Sequence, residues 1–314
     1  MHHRALGTSG LSFAPIVLGC NVFGWTTDEA TSLSLLSAFV ERGFSCIDTA
    51  DVYSTWVAGH RGGESEQMIG RWLKHGGQRD KIIIATKVGM QMPEGKGLSA
   101  PHILHSVEGS LKRLGTDYID LYQAHIDDSA TPFEETLEAF MQLLKSGKVR
   151  AIGASNFIAP RLAEALGVAK EKALAAFVSL QPNYSLVTRS LYEGELQRLC
   201  IRENLGVIPY YALAAGFLTG KYRKESDIKG RARTETIGRF FNPRGLQILS
   251  AMDKIAARLD ASVAQIALAW VLAQPGITAP IVSATSLMQL DEILGAAEIA
   301  LDADALDMLD KASA

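Results

Sequence analysis

Short apolar runs recur along the chain, separated by amphipathic stretches of helical period. They fall at residues 16–18, 46–47, 82–85, 119–122, 149–152, 177–180, 207–209 and 280–282. Each has strand length, and helix-length segments lie between them, so the pattern predicts βα units and a parallel sheet. Eight such units are the count of a closed α/β barrel, and 314 residues suit one barrel better than several domains. Residues 1–314 are therefore read as a single (β/α)8 domain. Ahead of the first run, residues 4–6 and 11–13 flank Gly7-Thr8-Ser9-Gly10, which predicts a β-hairpin that plugs the closed end of the barrel. Helix starts are legible at Thr131-Pro132-Phe133-Glu134, read as a capping box with proline at the first helical position. Ser262 to Gln265 repeats the Ser-x-x-Gln form, and Ser99-Ala100-Pro101 opens another helix. Between Tyr210 and Arg244 about thirty residues intervene, a length that in a compact domain usually marks a functional or mobile loop.

Four polar residues stand at or just beyond the ends of predicted strands: Asp48, Tyr53, Lys87 and His125. In an α/β barrel those ends surround one mouth, where the chemistry sits. An acid, a phenol, an ammonium and an imidazole gathered there can protonate a carbonyl oxygen while hydride arrives at its carbon. A free phenol has a pKa near ~10, too high for an ideal acid at neutrality. A neighbouring Lys87 ammonium is expected to lower it, with Asp48 pairing Lys87 and His125 orienting the carbonyl oxygen. Singly, each residue has a plain structural reading; the combination on successive strand ends points to a site.

With its 48/53 spacing, this set resembles the aldo-keto reductase superfamily, as a bacterial member related to the branch that resembles potassium-channel β subunits. The resemblance runs from the hairpin to the last predicted helices. It implies NADP(H) as cofactor, with NAD(H) the alternative, and a small carbonyl or sugar-like substrate. Ser155 and Asn156 after the fifth strand and Gln181 after the sixth match positions that hold the nicotinamide amide; a capped turn is the structural alternative for each. Tyr210 takes the position that stacks on the nicotinamide ring. Leu213, Gly216 and Lys221 belong to the following segment, whose backbone approaches the pyrophosphate; Tyr211-Ala212 departs from the Ser-Pro common there. The long loop matches a flap that closes over the cofactor. Ser283, Thr285, Gln289 and Glu292 match the adenosine end, where relatives commonly carry arginine at Thr285 or Ser286; only hydroxyls and a helix N-terminus stand there now. Ser286-x-x-Gln289 is equally a capping box. Phe23, Trp25 and Trp56 follow the first two strands and either wall a substrate pocket or pack the barrel rim. The same site run in reverse would be an NAD-dependent sugar or alcohol dehydrogenase, and a channel β-subunit-like regulatory partner is a third reading.

Composition narrows the picture further. A net charge of -3 gives no reason to expect nucleic acid or an anionic membrane as partner. Three isolated cysteines, Cys20, Cys46 and Cys200, argue against disulfides or zinc and suit a cytoplasmic setting; no metal is implied. The longest late apolar stretch, residues 263–273, is too short to span a bilayer. The oligomeric state leaves no sequence signal.

Overall fold

The computed structural model describes residues 2–230 and 233–314. Ten strands are defined among them: β1 (Arg4–Ala5), β2 (Ser12–Phe13), β3 (Val17–Gly19), β4 (Cys46–Asp48), β5 (Ile83–Val88), β6 (Ile119–Ala124), β7 (Val149–Ser155), β8 (Ser179–Gln181), β9 (Gly206–Val207) and β10 (Ile281–Val282). β1 and β2 form the antiparallel hairpin, pairing Arg4 with Phe13. The other eight make one parallel sheet in the order β10-β3-β4-β5-β6-β7-β8-β9. Its two ends meet where Thr278 N donates to Val207 O (2.8 Å) and Ile281 N to Pro209 O (2.8 Å), so the sheet closes into a (β/α)8 barrel.

Eight helices alternate with these strands: α1 (Glu29–Glu41), α2 (Glu64–Lys74), α3 (Ala100–Leu114), α4 (Phe133–Lys145), α5 (Ala159–Glu171), α6 (Glu195–Arg202), α9 (Val263–Ala273) and α10 (Leu287–Gly295). Three more lie outside that alternation: α7 (Thr234–Gly238) and α8 (Pro243–Leu259) in the β9–α9 connection, and the terminal α11 (Ala303–Ser313). No single helix among the described residues is long and apolar enough to cross a membrane.

Parallel strands covered on both faces read as continuous apolar runs, which is why the pattern found all eight. Several strands extend past their runs into polar residues, because ladder hydrogen bonds use only backbone. Ser155 and Gln181 are ladder partners, as are Lys87 and Gln123. The Ser262 capping box is present in both directions. The one expected at Thr131 is not: Pro132 occupies the N-cap, and the Thr131 hydroxyl donates instead to Asp128 Oδ2 (2.7 Å). Ser286 does accept from Gln289 N, but the Gln289 side chain turns to Thr285 rather than to the Ser286 backbone. The β9–α9 loop is less irregular than its length suggested, with 3₁₀ turns at Ala214–Thr219 and Glu225–Ile228 before α7. Arg223 pins it to α8 through a two-pronged ion pair with Asp253 (2.7 and 2.8 Å).

The hairpin closes the N-terminal end of the barrel. Leu6 and Phe13 are buried against the inward residues Val17, Cys46, Ala85, Leu121, Ala151 and Ile208. Its turn presses directly on the strand bottoms: a Cβ on Gly7 would lie 2.4 Å from Val178 O, and one on Gly206 would lie 2.7 Å from Gly7 N. Gly7 also has φ +53, so both space and backbone geometry call for glycine. Phe13→Ala should leave a void that this rigid floor cannot fill and cost about 3–5 kcal/mol. Denaturant titration followed by circular dichroism measures it; a loss below about 1 kcal/mol would show that the hairpin is not part of the core.

Candidate active site

The barrel's two ends differ in chemistry. Below lie the apolar layers under the hairpin; above lies a buried polar network built from strand ends. Asp48 ends β4, Lys87 lies within β5, Tyr53 follows in the turn after β4, and His125 directly follows β6. Lys87 is fully buried and Asp48 nearly so. All three hydrogens of the Lys87 ammonium have acceptors: Asp48 Oδ2 (2.7 Å), Thr49 O (2.7 Å) and Tyr53 Oη (2.8 Å). Asp48 Oδ1 accepts from Gln181 Nε2 (2.8 Å) and more weakly from Gln123 Nε2 (3.5 Å). Since the ammonium donates to the phenol oxygen, the phenol's own hydrogen must point elsewhere. Its route to Asp48 Oδ2 is long at 3.4 Å, and the other open direction is the cavity.

One expectation is reversed here. Lys87 was expected to make Tyr53 more acidic than a free phenol. In the structure, burial first and the Asp48 carboxylate second push Tyr53 well above the usual phenol range. Tyr53 therefore keeps its proton at neutral pH. The ammonium limits the cost of a phenolate formed on proton release; it does not yield an acidic phenol in the free protein. Burial also pushes Lys87 downward, opposed by Asp48. His125 is held well below the ordinary histidine range, by burial and then by Lys87, and is a neutral imidazole. Its Nδ1 is buried with no hydrogen-bond partner among the described residues.

A cavity of about 770 Å³ runs from this network across the barrel mouth. Asp48, Tyr53 and His125 line it, with Lys87 directly behind them. Ser155, Asn156, Gln181, Tyr210, Leu213, Gly216, Lys221, Ser283, Thr285, Gln289 and Glu292 all line the same cavity. Several of the polar ones already hold internal hydrogen bonds. Ser155 Oγ donates to Gln181 O (3.0 Å). Asn156 Nδ2 donates to His125 O (2.9 Å) while its Oδ1 accepts from Tyr210 Oη (2.7 Å). At the far end Ser283 Oγ donates to Asn21 Oδ1 (2.7 Å), and Thr285 gives both its N–H and its hydroxyl to Gln289 Oε1 (2.9 and 3.0 Å). The departure at Tyr211-Ala212 leaves Tyr211 at φ 58, with its ring against Tyr210.

The aromatic candidates separate. Trp56 lines the cavity and is half exposed. Trp25 backs it edge-to-face (5.6 Å between ring centres) and carries the Arg233 guanidinium over its other side (5.2 Å). Phe23 does not wall the pocket: the chain turns inward there, Ser54 Oγ bonds its carbonyl (3.1 Å), and its ring is fully buried in the main core. Asn21, Met90 and Tyr222 line the cavity without having been proposed as site residues; Arg233, a long-loop cation expected to offer charge to a phosphate, lines it too. Asn21 and Met90 sit just past β3 and β5, so the rule that strand-end loops line the mouth could have found them. Arg231, which with Lys221 and Arg233 was expected as a source of charge for a cofactor phosphate, lies outside the described residues. All three cysteines are free and buried, and burial raises each thiol's pKa. Among the described residues no group of three or more His, Cys, Asp or Glu could hold a metal ion.

Residues 15–314 match the model of the aldo/keto reductase family. The chain belongs to that family. It is 38% identical to the oxidoreductase YrpG of Bacillus subtilis, across 98% of this chain and 95% of the relative. It is 35% identical to the aldo-keto reductase YhdN of the same organism, across 88% and 82%. It is 32% identical to a probable voltage-gated potassium channel subunit beta of Oryza sativa, across 95% and 92%. The fold, the family and an oxidoreductase class thus agree.

The depressed His125 carries a linkage consequence. Its folded-state pKa lies below the unfolded value near ~6.5, so its contribution to stability is present above that pH and is lost as the pH falls. The imidazole should stay neutral, with resonances that hold constant as the pH falls through the ordinary histidine range while the fold loses stability toward acid. An ordinary titration of its ring signals near ~6.5 would refute this.

Proposed function

We propose that the chain reduces aldehydes or ketones with a nicotinamide cofactor, NADP(H) by first preference, with Tyr53 as proton donor. The observation that carries the reading is the Lys87 ammonium donating to Tyr53 Oη at 2.8 Å while paired with Asp48, on the wall of a cavity that reaches Glu292. That donor set fits the dinucleotide. Ser155, Asn156 and Gln181 offer amide and hydroxyl groups for a carboxamide. Tyr210 offers a ring face. Leu213, Gly216 and Lys221 border the pyrophosphate region, and Ser283, Thr285, Gln289 and Glu292 the adenosine. When bound, the reduced nicotinamide supplies hydride to the carbonyl carbon.

The remaining steps belong to the chain. Tyr53 turns its hydrogen toward the substrate oxygen. As that proton leaves, negative charge develops beside an ammonium already fixed in place, so no reorganisation is needed at that moment. Asp48 keeps Lys87 from moving, and Gln181 keeps Asp48 from moving. The neutral His125 orients the carbonyl oxygen by hydrogen bonding without adding a charge. Trp56, with Trp25 behind it, shields the substrate side from water. A cytoplasmic setting suits the three free cysteines.

A second reading rests on the adenosine end. No arginine stands at Thr285 or Ser286, and both donors of Thr285 are already committed to Gln289. That favours an NAD-dependent sugar or alcohol dehydrogenase run from the same residues. The likeness to the rice channel subunit motivates a third, a cofactor-sensing regulatory partner, for which slow cofactor release would be the mark. Following absorbance across a panel of carbonyls with NADPH and again with NADH separates the first two.

Tyr53→Phe should keep cofactor affinity and lose turnover by ~10²–10⁴-fold, and Lys87→Met should be similarly crippled. Near-normal turnover of the phenylalanine variant rules out the donor role. At the other end, Thr285→Arg or Ser286→Arg should raise preference for NADPH, through charge-assisted bonds worth about 1.5–3 kcal/mol. Comparing dissociation constants of NADPH and NADH for parent and variants decides it. A parent already favouring NADPH by several orders of magnitude would mean that Lys221 and Arg233 supply the missing charge.

A further inference from the structure

A second buried charged cluster lies behind Lys87, between the barrel wall and helices α2 and α3. Asp51 is 2% exposed, and Glu66 and Tyr122 are fully buried. Glu66 accepts from Thr86 Oγ1 (2.7 Å) and from Arg113 Nε (2.7 Å), so both its oxygens are engaged. Asp51 faces groups from four elements: Glu66 of α2, Arg113 of α3, Lys87 of β5 and Tyr122 of β6. Two carboxylates share one guanidinium, and that guanidinium is bonded to Glu66. Lys87 contributes only its charge and no hydrogen bond, because its three hydrogens are already donated. Asp51 Oδ1 and Tyr122 Oη both lack a hydrogen-bond partner among the described residues. An ionised Asp51 would put a second, unsolvated negative charge beside Glu66. Burial, and next Glu66, raise its pKa to about 8.

This cluster is mechanically joined to the proton donor. The turn from Thr49 to Tyr53 hangs on Lys87 at two points. Thr49 O accepts from Lys87 Nζ (2.7 Å), and Asp51 N donates to Lys87 O (3.4 Å). Tyr53 N closes the turn on Ala50 O (3.3 Å). Any displacement of Asp51 therefore moves the residue two positions on, whose hydroxyl must stay within 2.8 Å of Lys87. We propose that Asp51 is a positioning residue for Tyr53: as a neutral carboxylic acid it lets the turn rest against Lys87, and on ionising it repels Glu66 and drags Tyr53 out of line. The proposal rests on the reading of Tyr53 as proton donor.

The test compares the parent, Asp51→Asn and Glu66→Gln over the neutral to alkaline range. Asparagine mimics the neutral acid but cannot ionise, and glutamine removes the charge that makes ionisation harmful. In the parent, kcat for carbonyl reduction should fall about tenfold between pH 7 and pH 9, for a midpoint near the value of about 8. Both variants should lose that fall, while KM and the cofactor dissociation constant change little, because neither side chain lines the cavity. Asp51→Asn with the parent's alkaline fall intact, or with kcat lowered evenly at every pH, overturns the proposal.

Thermal melts supply a readout that needs no turnover. Asp51 holds its proton more tightly folded than unfolded, so the parent should lose stability relative to Asp51→Asn as pH rises from about 4 to about 8, and the gap should then stay constant. A gap independent of pH shows that Asp51 is not protonated in the fold, and overturns the proposal even if Asp51→Asn or Glu66→Gln is poorly active. A parent that reduces no carbonyl at any pH brings down the donor reading itself. An active parent with a flat profile brings down only the role of Asp51.

Discussion

The ion pair of Lys87 with Asp48 is the constraint around which the upper barrel is arranged. Two charges withdrawn from water carry a desolvation cost of several kcal/mol each, which only close geometry and complete hydrogen bonding offset. The chain meets that demand with four partner residues. Thr49 and Tyr53 complete the ammonium; Gln181 completes the carboxylate with a weaker contribution from Gln123. These partners come from the turn after β4, from β6 and from β8, so the pair, itself on β4 and β5, ties together strands that do not all neighbour one another. Removing one partner would strand the other charge in the interior, at about 3–5 kcal/mol. A phenol oxygen is thus fixed to a cation as a condition of the fold, before any ligand arrives.

The same constraint explains why the site was legible in the sequence and where it was not. Eight apolar runs fall where strands covered on both faces must be, and chemistry-bearing residues follow them because strand ends of a barrel converge. Asp48, Tyr53, Lys87 and His125 could be grouped on that rule together with the 48/53 spacing of the family they resemble. The direction of the Tyr53 shift could not, since it depends on how far burial outweighs a neighbouring charge. Phe23 stayed undecided between pocket wall and packing for a related reason: proximity to a strand end says that a loop is near the mouth, but not which way its side chains turn. Thr131 fits a capping pattern, yet Asp128, three residues earlier, competes for its hydroxyl. Asp51 gave no signal because its neighbours come from α2, α3, β5 and β6, far apart in the chain.

The cavity is built under strain as well as under charge. Asn156, Tyr211, Ala214 and Ala215 all adopt left-handed backbone, at φ values from 48 to 60. Such residues cost of order 1–3 kcal/mol each and persist only where the surroundings over-determine them. At Asn156 the compensation is visible. Its side chain donates to His125 O and accepts from Tyr210 Oη, so the strained residue links the loop after β6 to the ring proposed to stack on the nicotinamide. The irregular backbone that a helix or strand would not tolerate is what aims these groups at one volume.

The two ends of that volume are prepared to different degrees. At the tetrad end, the groups that would meet a substrate oxygen, Tyr53 and His125, are held by bonds to other atoms or other residues, and each keeps a face toward the cavity. At the end proposed for the adenosine, the hydroxyl and N–H of Thr285 are spent on Gln289, and Ser283 is spent on Asn21. A phosphate arriving there must displace internal hydrogen bonds, and each exchange returns only the small difference between two bonds of similar strength. Charge is the term that can tip such an exchange, because an ionised partner makes roughly twice as strong a bond as a neutral one. Among the described residues, the cations lining the cavity are Lys221 and Arg233, and both stand on the β9–α9 connection rather than on a strand end. Discrimination between phosphorylated and unphosphorylated dinucleotides would then depend on how that connection packs, while the proton-transfer geometry depends on the barrel. On the proposed reading, cofactor preference can change in the loop without disturbing the buried pair of Lys87 and Asp48.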